Sequence, residues 1–331
     1  MKRVAALLAT GLAGIALAAC GGGAEPGAPK RATLVLDFQP NAVHAGIYAA
    51  LHKDYYEEAG VDLSVQQPSS STDAPKLLEA GKAQFAILDI HDLAIARERG
   101  VDIVGVAPIV QRPLASVIAR ESVHRPRDLE GRTVGVTGLP SDDAVLDSVV
   151  SADGGDPAKV HRVTIGFNAV AALAAGRVDA ATAFWNAEGV TLKRQGISTR
   201  TFRVDDYGAP RYPELVLVTT AGMVRDDPNL VGAVVAATRG GYAIARRHPA
   251  DALDDLVEAD PDLDSADQAA ELRALDRANA FRRPGEFDMR VLAAWARWEA
   301  AHGIVQRPPN VRRTFVSAAR LRSLGEKAPS T

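Results

Sequence analysis

One short unit is written twice in this chain. Leu78-Glu-Ala-Gly81-Lys-Ala-Gln84 returns as Leu173-Ala-Ala-Gly176-Arg-Val-Asp179. Each copy follows residues with helical spacing, stops at a glycine, and runs on into an apolar strand. Glycine suits the stop because a helix often ends in the left-handed region, where a side chain is strained. Two copies predict two α/β units of similar build. Each apolar run ends in a polar or aromatic cluster, Asp89-Ile-His91 in one copy and Trp185-Asn-Ala-Glu188 in the other. In open α/β sheets, ligands lie beyond the carboxyl ends of the strands. Facing each other across a cleft, the two clusters would clamp something between two lobes.

The rest of the pattern fits that plan. Thr33–Leu36 and Val61–Val65 read as strands, joined by a helix over Val43–Ala59 that Gly60 would stop. That is a β-α-β unit, the builder of parallel sheets covered by helices. A helix over Ala74–Ala80 and a strand over Lys82–Leu88 follow. In the second copy Asn168 caps a helix over Ala169–Ala175, and Val178–Phe184 is the strand. Gly131–Val136 is a further strand, with a helix starting near Ser141-Asp142. The chain is expected to cross between lobes near Arg112-Pro113 and to return near Tyr212-Pro213. Glu214–Thr219 would then complete the first sheet. The first lobe is thus residues 32–113 plus 214–331, and the second is 114–213. From Pro228 onward the spacing is helical. Trp295 and Trp298 share one helix face, which predicts core packing.

With 331 residues, the chain can bury two cores. Its net charge of -3, with no basic block interleaved with aromatics, excludes a nucleic-acid partner. The amino-terminal stretch stands apart. Lys2-Arg3 precede an apolar run, Val4–Ala19, too short to span a membrane. The run ends Leu17-Ala18-Ala19-Cys20. Cys20 is the only cysteine, so it has no partner for an internal disulfide. Residues 21–31 are rich in glycine and proline at their start and read as a tether.

The segment ending at Cys20 resembles the lipobox of bacterial lipoproteins. The resemblance implies a signal peptide over 1–20, acylation of Cys20, and a body held by lipid on the extracytoplasmic face of the cell membrane. The body itself is similar to the substrate-binding lipoproteins of bacterial ABC importers, and within them to the group that captures pyrimidine precursors of thiamine. Alkanesulfonate- and riboflavin-binding proteins are relatives. The likeness is carried by Leu36-Asp-Phe-Gln-Pro-Asn-Ala-Val-His-Ala-Gly-Ile-Tyr48, by Tyr55–Leu63, by the two glycine units and by Phe184-Trp-Asn-Ala-Glu188. Relatives often carry tryptophan where Phe38 stands. The resemblance implies the type II periplasmic-binding-protein fold, with two Rossmann-like lobes, a hinge and a cleft. It also implies a monomer that delivers a small molecule to a permease and its ATPase, without a cofactor.

The named residues suit a flat heterocycle. Phe38 and Trp185 offer π-faces for a ring. Glu188 can accept hydrogen bonds from an aminopyrimidine edge or pair with an amine. Asp37, Asn41, Asp89, Asn168 and Asn186 are short polar groups suited to fixing orientation. For Asn168 the alternative is a helix cap, and for Asp89 a turn. His44 and His91 are either ligand contacts or satisfied core residues. Ser141-Asp142-Asp143 sits at a helix start, where its carboxylates would cap the helix and repel a sulfonate or phosphate. A riboflavin- or alkanesulfonate-type ligand is the alternative on the same fold. An enzyme is the other one: a fungal synthase of the thiamine pyrimidine is similar around Asn41–His44 and Ile90-His91. That enzyme has a lysine shortly before the histidine and a cysteine cluster. Ile87-Leu-Asp-Ile-His91 has neither, so no catalysis is expected. The seven histidines show no metal-ligand spacing.

Overall fold

The computed structural model describes residues 28–70 and 73–326. Cys20, the expected signal peptide and most of the expected tether lie outside the described residues. The last two tether residues do not belong to it: β1 spans Lys30–Val35 and pairs in parallel with β2, Val61–Gln66, from Lys30 opposite Val61 onward. Backbone pairing recruits these two exposed cations despite their charge, and Lys30 Nζ reaches Asp227 at 2.5 Å.

The first sheet adds β3 (Phe85–Asp89), β4 (Ile103–Val110) and β10 (Leu215–Thr220), in the order β2-β1-β3-β10-β4. The second sheet contains β5 (Ala115–Arg120), β6 (Thr133–Val136), β7 (His161–Thr164), β8 (Ala180–Phe184) and β9 (Thr199–Arg203), in the order β7-β6-β8-β5-β9. Neither sheet is purely parallel, as the β-α-β reading had it. β10 runs against β3 and β4, and β5 against β8 and β9. The reason is where the chain changes sheet. β4 ends at Val110 in the first sheet and β5 begins at Ala115 in the second. Ala115 lies opposite Phe184, the end of β8, and Leu215 lies opposite Asp89, the end of β3. Entering at the carboxyl ends of its neighbours, each strand can only run back along them.

The repeated unit occupies the third place in both sheets, and its likeness extends to single hydrogen bonds. Gly81 and Gly176 stand at φ 67° and 66°. Lys82 N–H donates to Leu77 O and Arg177 N–H to Ala172 O, both at 2.9 Å. These are the six-to-one bonds of a Schellman stop. The Gln84 side chain then accepts from Thr33 N–H at 2.9 Å, and the Asp179 side chain accepts from Thr133 N–H at 3.1 Å. Leu34 pairs with Phe85 as Val134 pairs with Ala180. The two sheets therefore share strand register and hydrogen bonds around the echo.

The helix expected over Val43–Ala59 is broken. A short 3-10 turn over Ala42–His44 leads into a helix Ala45–His52, and Asp54, at φ 57°, separates it from Tyr55–Glu58. The bend lets Tyr56 bury and bond Thr238 at 2.9 Å. The long helix Pro228–Arg247 crosses the first one so closely that a Cβ on Gly241 would lie 1.8 Å from Gly46 O. Trp295 and Trp298, on helix Met289–Ala301, are both core residues, at 0% and 6% exposure. No helix among the described residues is long and apolar enough to cross a membrane.

Candidate functional site

A cleft of about 910 Å³, open mouth included, lies between the carboxyl ends of the two sheets. Its lining follows the internal equivalence. Asp37 after β1 matches Thr137 after β6, and Asn41 matches Ser141; all four line the cleft. At the ends of the echoed strands, Asp89 matches Phe184 and Asp92 matches Ala187, and these four line it too. The residues between them, Ile90 and His91 in one copy and Trp185 and Asn186 in the other, are buried away from it.

Of the residues singled out in the sequence, Asp37, Phe38, Asn41, Asp89 and Glu188 are brought together in the cleft. Phe38 meets Phe167 of the second lobe edge to face, with ring centroids 4.4 Å apart, so the rings touch across the cleft. Asn41 Oδ1 accepts from Val43 N–H at 3.0 Å and its amide donates to Gln39 O, which fixes its place in the wall. Asp89 caps the helix Ile90–Glu98, accepting from His91 N–H at 2.7 Å. Glu188 opens the helix Glu188–Arg194 and folds back to accept from Phe184 N–H at 3.0 Å.

The other expected residues go elsewhere. Trp185 faces out of the cleft. Its indole N–H donates to Pro113 O at 3.0 Å, and the Arg203 guanidinium lies 4.0 Å above its ring. Adjacent positions of an extended chain point apart, and Phe184 takes the cleft side. Asn186 is fully buried and its amide makes no hydrogen bond among the described residues. Asn168 is exposed; its amide donates to Ile165 O at 3.0 Å and gives the following helix no side-chain cap.

Both histidines are buried. His44 sits beneath the wall, accepting Asn41 N–H on Nδ1 at 3.2 Å and meeting Asp37 Oδ1 through Nε2 at 2.9 Å. With Nδ1 accepting, Nε2 carries the proton and donates it to Asp37. His44 thus orients a cleft carboxylate without reaching the cleft. His91 is clasped by Glu299 and, at 2.9 Å, by the Tyr212 hydroxyl. Burial works against its charge, but Glu299 and then Asp89 outweigh burial and raise the imidazole to about 10. Ligand atoms of Asp89, His91 and Glu214 lie within 4.8 Å of one another. Both ring nitrogens of His91 are already engaged, so this set fits a proton network better than a metal ion.

Sequence reasoning missed Asp92, Ser116, Thr137, Phe167, Thr182 and Phe184. The echo itself held the signal for Phe184 and Asp92, had its register been carried past the strand ends. Asp142 was noticed for another role. Its carboxylate accepts from Thr137 N–H at 2.6 Å and from the Thr137 hydroxyl, holding the loop before the helix and leaving the helix N–H groups aside. Asp143 turns outward to Arg162 at 3.0 Å.

Five carboxyl groups, Asp37, Asp89, Asp92, Asp142 and Glu188, therefore face one cleft, and no lysine, arginine or histidine is among its described lining residues. Burial pushes Asp92 and Asp89 well above the usual carboxylate range, and Asp142 upward. Burial also lifts Glu188 to about 7; bonds from backbone N–H groups oppose this, and Asp142 and Asp37 add to it. Such a site offers an anion no cation among its described lining residues and is rich in groups that bind N–H donors.

Two lobes of this topology, with a walled cleft between strand ends, define the periplasmic-binding-protein fold. The alkanesulfonate-binding protein of Xanthomonas axonopodis pv. citri shares it, with a TM-score of 0.70 at 16% identity over 88% of this chain and 99% of that one. The chain belongs to the NMT1/THI5-like family, which matches residues 41–252. Among its relatives, the formylaminopyrimidine-binding protein of Halalkalibacterium halodurans is 34% identical over 227 residues, 68% of this chain and 69% of the relative. The 4-amino-5-hydroxymethyl-2-methylpyrimidine phosphate synthase of Legionella pneumophila is 24% identical over 239 residues, 71% of this chain and 75% of the relative.

Proposed function

We propose that this protein is the extracytoplasmic substrate-binding component of an ABC importer, that lipid on Cys20 anchors it, and that it captures an aminopyrimidine precursor of thiamine. The observation that carries the ligand class is the cleft's polarity: five carboxyl groups, three phenylalanine rings and no cation among the described lining residues. A flat ring packs against Phe184 and against the edge-to-face pair Phe38–Phe167, while its amino groups donate to carboxyl oxygens. A sulfonate in the same place would meet carboxylates with no cation to hold it. The similarity to a formylaminopyrimidine-binding protein supports the same reading.

The protein binds this ligand and does not transform it. His91, the histidine in the segment similar to the synthase, is fully buried with both nitrogens engaged, and the described lining of the cleft holds no lysine or cysteine. Calorimetric titration with formylated aminomethylpyrimidine, hydroxymethylpyrimidine, riboflavin and a short alkanesulfonate tests the assignment. The pyrimidines should bind and the sulfonate should not. Binding of riboflavin alone, or of the sulfonate, overturns it.

A further inference from the structure

Trp185, turned out of the cleft, lines a second hollow of about 1400 Å³, open mouth included. Its walls come from both lobes. Six lining side chains are cationic and none is acidic, in a chain where acids outnumber lysine and arginine 41 to 38. Arg112 comes from the first crossover, Lys193 and Arg194 from helix Glu188–Arg194, Arg203 from the end of β9, and Arg273 and Arg277 from helix Ser265–Arg277.

Two of the six are already neutralised. Arg112 meets Asp205 at 2.9 Å, and Arg194 meets Asp267 and Asp264. Lys193, Arg203, Arg273 and Arg277 make no ion pair among the described residues. Arg203 sits over the Trp185 ring, which positions its guanidinium without neutralising it. These four charges face each other from different lobes, two on each. Like charges gathered around one gap repel, and the repulsion is relieved by a multivalent anion placed between them. Ala270, Ala274 and Gly189 leave space close to the backbone on both walls.

We propose that this hollow is a second binding site, for a multivalent oxyanion of the phosphate or diphosphate class, which bridges the two lobes. The guanidinium fork matches phosphate oxygens in pairs, so three arginines and a lysine form a fitting cradle. The group can be free or part of an anionic lipid headgroup, since the recognising chemistry is the same. The site is separate from the cleft, whose described lining holds no cation.

The test uses the full chain, with inorganic pyrophosphate titrated by calorimetry at low salt. A parallel arm measures co-sedimentation with phosphatidylcholine vesicles with and without phosphatidylglycerol. The variants are Arg273→Gln/Arg277→Gln on one wall and Lys193→Gln/Arg203→Gln on the other. Arg246→Gln/Arg247→Gln, an exposed pair outside the hollow, is the charge-matched control. Each wall pair should weaken binding roughly tenfold or more, while the control stays within about twofold. Aminopyrimidine affinity in the cleft should be unchanged in all three. Pyrophosphate binding lost in both wall variants assigns a free anion. Vesicle binding alone, dependent on phosphatidylglycerol and on the same walls, assigns a headgroup. The proposal falls if the wild type binds neither probe, or if the control pair weakens binding as much as the wall pairs.

Discussion

Glutamine at position 188 should abolish the pH dependence of ligand binding while sparing much of the binding itself. Burial raises the Glu188 carboxyl from 4.5 to about 7. At about 1.4 kcal/mol per unit, that holds roughly 3 kcal/mol against the charged form. Near neutrality the group is therefore about half protonated. An aminopyrimidine edge carries an amino donor beside a ring-nitrogen acceptor. A neutral carboxyl answers both, donating O–H to the ring and accepting from the amine. The complex then holds one proton that the free pair has lost once the pH exceeds about 7, and affinity should fall roughly tenfold per pH unit above it. Glutamine offers the same donor and acceptor and does not titrate, so Glu188→Gln should bind with a flat alkaline profile. Glu188→Ala should lose about 2 kcal/mol, roughly thirtyfold, throughout. Stability provides a second readout. The folded value lies above the unfolded one, so the folded chain binds more protons between about 4.5 and 7 and loses stability as the pH rises through that window. The unliganded Glu188→Gln variant should lack that loss and melt several degrees above the wild type at alkaline pH. Scanning calorimetry from about pH 4 to about pH 9 and calorimetric titration from about pH 6 to about pH 9 measure both. Wild-type affinity that stays level across that range would refute the shared proton. An alkaline loss retained in Glu188→Gln would move the titrating group elsewhere.

The remaining expectations concern packing, stacking and anchoring. Phe38→Ala should weaken aminopyrimidine binding about tenfold, whereas Trp185→Ala should cost about 3 kcal/mol of stability and leave that affinity within about threefold; fluorescence titration and denaturant melts separate the two. Gly241→Ala forces a methyl against Gly46 O and should destabilise by about 3 kcal/mol in urea unfolding, with wild-type stability refuting the close helix crossing. Cys20→Ser should release the protein from membranes or leave its precursor uncut, read by fractionation and mass; a processed chain that stays attached contradicts the lipid anchor.

The architecture was legible because the echo fixes local structure through the backbone. A glycine stop and the apolar run after it specify a Schellman turn and a strand whatever surrounds them, and both copies fold that way. The cleft was half legible. Asp37, Phe38, Asn41, Asp89 and Glu188 sit just past strand ends, where the chain has to face the opposite lobe. Trp185 and His91 sit equally close to those ends. What separates them is phase: one residue along a strand turns a side chain over, and one along a helix turns it by about 100°. Chemical attraction of residue types, an indole for a ring and an imidazole for a hydrogen bond, pointed at members of each cluster that the fold buries away from the cleft. The break at Asp54 was hidden for a different reason. Nothing in Lys53-Asp54 forbids a helix, and the bend is imposed by Tyr56 finding Thr238 far along the chain.

The matched positions of the two lobes are polar on both sides near the first strands and opposite in character at the echoed strand ends. The first lobe sets Asp37, Asn41, Asp89 and Asp92 where the second sets Thr137, Ser141, Phe184 and Ala187. The backbone frame is nearly twofold; the side chains on it are not. A planar guest entering such a gap has two ways up, and at the echoed strand ends turning it over exchanges contact with Asp89 and Asp92 for contact with Phe184 and Ala187. The two ways up thus differ in side-chain contacts on a shared scaffold. Exchanging the characters of Asp92 and Ala187 should move those contacts to the other wall without redrawing it, so the frame and its polarity can change separately in this fold.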